Sequence, residues 1–241
     1  MKNIYDIKPR SGCKDVWNAF MVKGATFSDN DIPFCPTTAR DIPTKIITLS
    51  EAEKIYKDEI SKGNKRFKRE EYVSGYEDDY MMDRIKEKNI WLDSKYLCEI
   101  IDHFEGLITI DWSTYMDFPY PIKLFNTYRM RAFGRWYGEI RHKNVINNVR
   151  WGTPETYAYC FDGLPINSIV CIGCVASKLK NKVYRQIFHE GLREMIKRIH
   201  PITILIYGAI DSESKEIINK AGIDLYVYPS RKSQIHCRKE T

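Results

Sequence analysis

Charged and aromatic residues follow two apolar runs of the sequence, where a parallel sheet would bring them together. Asp111 follows the run 107–110. Arg150 and Trp151 follow the run 145–149. An aspartate can transfer protons, an arginine can bind an anionic group, and a tryptophan can stack on a ring. These residue types together indicate a site for an anionic ring compound, with Asp111 as the candidate catalytic residue.

A repeating order of strands and helices would position these side chains. Short runs rich in valine and isoleucine predict buried strands, and apolar residues at every third or fourth position predict helices. The predicted strands are 90–92, 107–110, 145–149, 168–172, 203–207 and 225–228. The predicted helices are 50–61 with a Ser50 cap, 94–104, 122–140, one beginning at 153–154, 183–199, and one capped by Asp211 or Ser212. The pattern predicts an α/β protein of about six strand-helix units with parallel strands.

Two architectures fit this order, and the sequence leaves both open. One is a TIM-barrel-like sheet, complete or incomplete, and the other is an open parallel sheet. No glycine-rich dinucleotide motif follows a predicted strand. Polar or aromatic residues follow every predicted strand, which favours the barrel-like arrangement. We expect a loop-rich N-terminal arm, helix and charged loop at 1–88, an α/β domain at 89–230, and a basic tail at 231–241.

In both architectures, ligands bind at the C-terminal ends of the strands. The residues predicted there include Asp93, Asp111, Trp112, Arg150, Trp151, Lys178, Gly208, Asp211 and Arg231. Helix N-termini and arginines favour anions, most often phosphate. The predicted partner is therefore a phosphorylated small molecule or a nucleic acid. Arg150, Arg129 and Lys178 would neutralise phosphate, and Trp112 or Trp151 would stack on a ring. A purely structural ion pair between Asp111 and Arg150 is an open alternative.

The segment 126–131 contributes three further candidates for ligand binding, Asn126, Arg129 and Arg131. In a regular helix Arg129 and Arg131 point about 160° apart, so they cannot both reach one pocket. Asn126 and Arg129 could share a face that reaches the strand ends. The alternative is a solvated helix face.

Other kinds of site have weaker support in the sequence. Cys171 and Cys174 have the spacing of a zinc knuckle but lack a second pair, and the seven scattered cysteines do not indicate a disulfide framework. A magnesium ion held by Asp93, Asp111 or Asp211 is compatible with the sequence, because such sites use few protein ligands.

The net charge and the lengths of the apolar segments limit which partners and which cellular location we expect for the chain. The net charge of +6 permits an anionic partner without requiring one. The basic run 62–69 is either a solvated loop or a phosphate-contacting patch. No segment is typical of a signal peptide or a membrane span, so we expect a cytoplasmic protein with no membrane partner.

Several motifs resemble one known family. They are Asp111, Ser113, Tyr115, Asp117 and Pro119, then NTYRMRAFG at 126–134, VRW at 149–151, CFDG at 160–163 and YG at 207–208, with CKDVWNAF at 13–20 and DIP at 31–33. They resemble the phage, plasmid and prokaryotic family catalogued as domain of unknown function forty-four seventeen. The resemblance implies a mobile-element protein with a role in replication, defence or counter-defence. It places Asp111, Asn126, Arg129, Arg131, Arg150, Trp151, Asp162 and Gly208 at signature positions of the family.

The possible functions fall into separate classes that the sequence leaves open. The first is a phosphate-ester or glycosidic-bond hydrolase with Asp111 as its base. The second is a non-catalytic protein that binds DNA or sequesters a nucleotide. The third is a structural or partner-binding protein.

Overall fold

A curled sheet of parallel strands organises the protein, as seen in a computed structural model that describes residues 2–3, 15, 17–83, 89–175, 177–231 and 233. In the described chain a short antiparallel pair, β1 (Lys2–Asn3) and β2 (Thr26–Phe27), precedes the sheet. The seven sheet strands are β3 (Ile46–Thr48), β4 (Arg69–Ser74), β5 (Phe104–Ile108), β6 (Asn144–Asn148), β7 (Ile169–Gly173), β8 (Thr203–Tyr207) and β9 (Asp224–Tyr228). Each pairs in parallel with the next along the chain.

Helices connect these strands. They are α1 (Leu49–Ser61), α2 (Asp79–Met82), α3 (Ser94–Ile101), α4 (Tyr120–Arg135), α5 (Lys182–Ile199) and α6 (Ser212–Lys220). The described chain also has 3₁₀ turns at Ala19–Val22 and Pro154–Ala158, and a π-helical turn, Trp136–Ile140, that extends α4. The result is a mixed α/β fold in which the parallel sheet forms a half-barrel. The predicted α/β class is confirmed, and the half-barrel is consistent with an incomplete barrel or an open parallel sheet, which the sequence left open.

Alternating side chains of the strands form two apolar layers. On the helix-covered face, residues such as Leu107 and Ile204 belong to clusters that include side chains from α3, α4, α5 and α6. On the concave face, Ile108, Ile146 and Leu205 form a third cluster. Because β7 and β8 are buried on both faces, they contain apolar runs without polar alternation.

The N-terminal arm fills part of the concave face. Ala39 belongs to the concave cluster, and the Asn147 amide donates to the carbonyl of Cys35 at 2.9 Å. The Tyr228 hydroxyl, at the end of β9, donates to the carbonyl of Pro43 at 2.6 Å. The arm therefore packs against strands from both halves of the sheet.

Several local predictions differ from the structure. Residues 90–92 form no strand, and Asp93 caps α3 instead of following a strand. Leu92 is exposed, so this short apolar run lacks the burial of a strand between two layers. The cap of α1 lies two residues earlier than predicted, because Thr48 and Glu51 form the capping box in place of Ser50 and Glu53. The segment at 153–154 begins a 3₁₀ turn, not a longer helix.

The first two strands of the sheet lie within 1–88, the region that the sequence suggested was an arm with a charged loop. The start of β4 is exposed and charged, and only its last four residues are buried. In the basic run 62–69, Arg69 donates to the Glu71 carboxylate. Lys68 donates to the carbonyl of Asp102. The tail beyond Arg231, apart from Ser233, lies outside the described residues.

Candidate functional site

A cavity of about 460 Å³ lies at the C-terminal ends of β5, β6 and β7. Its lining comes from the segments that follow these strands and from the first turns of α5. The lining residues are Asp111, Thr114–Phe118, Asn148–Gly152, Ile172, Gly173, Ser177, Lys178, Tyr184, Ile187 and Phe188. This volume is typical of a small-molecule site, and the position is where parallel α/β sheets bind ligands.

Asp111 is held in the cavity wall by two hydrogen bonds. Its Oδ2 accepts a bond of 2.6 Å from Nη1 of Arg150, and its Oδ1 accepts a bond of 2.7 Å from the Asn148 amide. Asn148 is fixed in turn, since its Oδ1 accepts a bond of 3.0 Å from the Tyr76 hydroxyl. The ion pair between Asp111 and Arg150 that the sequence suggested is therefore present.

Burial dominates the electrostatics of Asp111. It raises the pKa of the Asp111 carboxyl above its ordinary value, although Arg150 and the Asn148 amide oppose the rise. Burial also disfavours the charged Arg150 guanidinium, but the charge and hydrogen bond of Asp111, together with the nearby Tyr115 and Asp79, outweigh it, so the pKa of Arg150 is raised. A buried carboxyl with a raised pKa at a cavity wall is a candidate for proton transfer.

Aromatic rings form much of the cavity wall. The Trp151 ring lies 5.2 Å from the Phe188 ring, and the Arg150 guanidinium lies 5.6 Å from the centre of the Tyr115 ring. Gly191 in α5 makes room for Trp151, because a Cβ at this position would lie 2.1 Å from the indole. These rings could hold a flat, unsaturated ligand by stacking.

A buried polar network lies around Ser113, next to the cavity-lining residue Thr114. The Asn126 amide donates to the Ser113 carbonyl at 2.5 Å, and Arg129 donates to Asn126 Oδ1 at 2.7 Å. Arg129 also bonds to Asp83 at 2.7 Å, and its guanidinium lies 4.3 Å from the centre of the Trp112 ring. The network fixes the start of the segment after Asp111.

Asp79 is a second carboxyl in this region, and it is half-buried. It accepts bonds from both the main-chain nitrogen and the hydroxyl of Ser113, and burial raises its pKa. Sequence reasoning missed Asp79 because it searched for site residues after predicted strands. The strand before Asp79, β4, was not predicted, since its charged start gives little periodic signal. It also missed Asn148, although two adjacent asparagines in a buried strand are a signal for a polar network.

The predicted site residues separate into groups. Asp111, Arg150, Trp151 and Lys178 line the cavity. Asn126, Arg129 and Trp112 form the buried network behind it. Arg131 is fully buried and donates to the carbonyls of Asn148, Cys160 and Asp162, so it joins segments of the chain. Arg129 and Arg131 do point into different surroundings, as helix geometry predicted. Gly208 has a φ of +114° and packs against the backbone at Val175, outside the cavity lining.

The described residues contain no metal-binding arrangement of three or more histidine, cysteine, aspartate or glutamate side chains. Asp93 and Asp211 cap α3 and α6. Cys171 and Cys174 are buried free thiols, and burial raises the pKa of each to about 12. Within the same described part of the chain, every helix is too short or too polar to cross a membrane.

The chain is similar to two curated phage proteins. It is 31% identical over 131 residues to the Gene 1 protein of Mycobacterium phage L5, covering 54% of this chain and 56% of that protein. It is 29% identical over 138 residues to the Gene 1 protein of Mycobacterium phage D29, covering 57% and 50%. The matches thus span about half the length of each relative. No solved structure matches the chain.

A family model matches residues 34–224, which include the strands β3 to β8 and all of the cavity lining. This match confirms the resemblance seen in the motifs at 126–134 and 149–151. The chain belongs to the family described as Domain of unknown function (DUF4417).

Proposed function

We propose that the strand-end cavity binds a phosphorylated ring compound, such as a nucleotide or a nucleic-acid end, and that Asp111 transfers a proton during hydrolysis of a phosphate-ester or glycosidic bond. The observation that carries the proposal is the buried Asp111 carboxyl, placed at the wall of a cavity lined by aromatic rings. Lys178 and Arg150 supply positive charge in the same lining, and Trp151 and Tyr115 supply ring surfaces.

In this function Asp111 takes a proton from the attacking water or gives one to the leaving oxygen. Burial raises the pKa of Asp111 above the ordinary aspartate value and so brings it closer to neutral pH. A group whose pKa lies near the working pH can both accept and donate a proton effectively. Asn148 and Arg150 keep the carboxyl in one orientation. Correct orientation at the reacting bond is itself a large part of catalysis.

The test is a thermal-shift panel of nucleotides, sugar phosphates and short oligonucleotides, with and without magnesium, followed by mass analysis of each mixture. A ligand at about 100 times its dissociation constant adds about 2.7 kcal/mol to the free energy of unfolding, which raises the melting temperature by several degrees. We expect a shift with a changed ligand mass. The absence of any shift would exclude the proposed ligand class.

Two variants connect the activity to Asp111. Asp111→Asn keeps the shape of the side chain and should lower the turnover found in the panel by about 100-fold or more. Asp117→Asn is the matched control, because Asp117 lines the same cavity but is exposed. It should keep most of the activity. Equal turnover in Asp111→Asn and the wild type would exclude the catalytic role.

A non-catalytic binding protein is the second candidate, either a sequestering protein for nucleotides or an accessory protein for DNA. Both oxygens of Asp111 already have partners, as expected for a structural ion pair at the rim of a sheet. This candidate predicts a thermal shift with an unchanged ligand mass.

A further inference from the structure

A strip of unpaired positive charge begins at the cavity. We define the basic strip as Lys178, Lys180, Lys182 and Arg185, on the loop before α5 and its first turn. None of the four forms an ion pair with a residue of the described chain, and the three lysines are exposed. The sequence has no aspartate or glutamate between Asp162 and Glu190. The strip therefore lacks any acidic residue within its own segment of the chain.

The other end of the same helix provides a contrast. Arg193 pairs with Glu213 at 3.0 Å, and Arg198 pairs with Glu194 at 2.6 Å. Cations there are neutralised by nearby acids, as is usual on a solvated helix face. The lack of such partners in the basic strip leaves its charge available to an anionic ligand.

The strip is continuous with the cavity. Lys178 and Tyr184 both line the cavity, and the Lys178 ammonium lies 5.1 Å from the centre of the Tyr184 ring. Lys180 and Lys182 continue the charge away from it. The cavity lining itself is balanced, with the carboxylates of Asp111 and Asp117 against Arg150 and Lys178. The excess of positive charge in the strip thus lies on Lys180, Lys182 and Arg185, which are outside the cavity lining.

The cavity also offers an unused polar group. Thr114 is 3% exposed, and its Oγ1 has no hydrogen-bond partner in the described structure. A buried hydroxyl without a partner costs free energy, which a ligand can recover by bonding to it. A base has both a face for the aromatic rings and polar edge atoms for such a hydroxyl.

We infer that the ligand of this site is a single strand of nucleic acid, with one unpaired base in the cavity and the adjoining phosphates along the basic strip. The inference rests on the proposed function and narrows its ligand class. A free mononucleotide would use the cavity and Lys178 but would leave the rest of the strip without an anion. Stacking of an unpaired base needs a single strand, since the bases of a duplex are already stacked on one another.

Binding measurements on two matched double variants test this inference. Lys180→Gln/Lys182→Gln removes two charges from the strip at positions outside the cavity lining. Lys54→Gln/Lys215→Gln removes two exposed lysines from α1 and α6, which contribute nothing to the lining. The probes are an oligothymidylate of about twelve nucleotides, the RNA of the same length, the corresponding duplex, and thymidine and uridine 5′-monophosphates. Affinities are measured by fluorescence anisotropy and calorimetry over a range of salt concentrations.

We expect the strip variant to bind the DNA or RNA single strand about tenfold more weakly at moderate salt. Its slope of log affinity against log salt should fall by about 1.4, because each lost phosphate contact on a single strand contributes about 0.7. Its affinity for the monophosphates should equal that of the wild type. The control variant should match the wild type with every probe.

The outcomes separate the inference from the proposed function. If monophosphates bind and oligonucleotides bind no more tightly, or if the strip variant keeps the wild-type salt slope, the inference fails and the proposed function stands. Equal affinity for duplex and single strand would also overturn the inference. If neither monophosphates nor oligonucleotides bind, the nucleotide form of the proposed function fails together with it.

Discussion

At the residue scale, the ion pair of Arg150 and Asp111 places one positive and one negative group together in the cavity wall. Asp111 is almost fully buried, so its ionised form depends on the guanidinium beside it. Arg131 shows a different use of a buried arginine. Its three hydrogen bonds go to main-chain carbonyls, and burial lowers its pKa to about 10. The motif at 149–151 therefore contributes an arginine to the cavity lining, whereas Arg131 in the motif at 126–134 stabilises the fold.

Replacement of Arg150 should destabilise the protein in a pH-dependent way. Without the guanidinium, the pKa of Asp111 rises further, so the folded state keeps a proton that the unfolded chain releases above about pH 4. Arg150→Met should therefore lower the free energy of unfolding by about 3 kcal/mol at neutral pH and by much less below about pH 4. Urea denaturation at both pH values measures the difference.

The control for this prediction is Arg185→Met, which removes an arginine that has no ion pair among the described residues. It should change the free energy of unfolding by less than about 0.5 kcal/mol at either pH. An equal loss of unfolding free energy for Arg150→Met at both pH values would mean that removal of Arg150 does not change the pKa of Asp111.

At the element scale, helix ends and close approaches position the site. The basic strip occupies the loop and first turn of α5, where Asn181 caps the helix through bonds to the nitrogens of Val183 and Tyr184. Gly191, further along α5, lets Trp151 lie against the helix. The α1 helix uses a capping box formed by Thr48 and Glu51. Such local contacts decide where each helix begins.

The capping box predicts different effects for two neighbouring residues. Thr48→Ala should lower the free energy of unfolding by about 1 kcal/mol, because the main-chain nitrogen of Glu51 loses its partner. Ser50→Ala is the comparison, since Ser50 uses its main-chain nitrogen to bond Glu77 and alanine retains that group. It should be neutral within about 0.5 kcal/mol. Denaturant unfolding of both variants measures this, and a larger loss for Ser50→Ala would contradict the observed cap.

At the scale of the whole molecule, the half-barrel has two edges. Strand β3 forms one edge and β9 the other, and the strands β4 to β8 lie between them. In β9, Tyr226 and Val227 are about half exposed, whereas every residue of β8 is buried. The arm joins the edges indirectly, through the bond from Tyr228 to Pro43.

Hydrogen exchange should follow this arrangement. Amides of β7 and β8 should exchange slowest, near the rate set by global unfolding, and those of β9 should exchange about 100-fold faster through local opening. Mass spectrometry of peptides from each strand measures the order. Protection of β9 equal to that of β8 would mean that this edge is covered in solution, for example by a second copy of the chain.

The order of strands and helices from β5 onward could be predicted from the sequence, because apolar periodicity is a local property of the chain. The strand Thr203–Tyr207 was placed without error, and the end of α5 at Ile199 was correct. The same local pattern identified Asp111 and Arg150 as residues that follow neighbouring strands. The strands β3 and β4 were missed, because three residues of β3 and the charged start of β4 give little periodic signal.

The sequence by itself therefore determined the α/β class, the order of most elements, and the residues that follow the strands from β5 onward. Only the tertiary structure decided which side chains meet: Asp79 with Ser113, Asn148 with Asp111, and Arg131 with three carbonyls. It also decided that the chain before residue 89 supplies two strands of the sheet. The physical reason is that these contacts join residues far apart in sequence, whose approach depends on burial and strand pairing across the whole sheet rather than on local spacing.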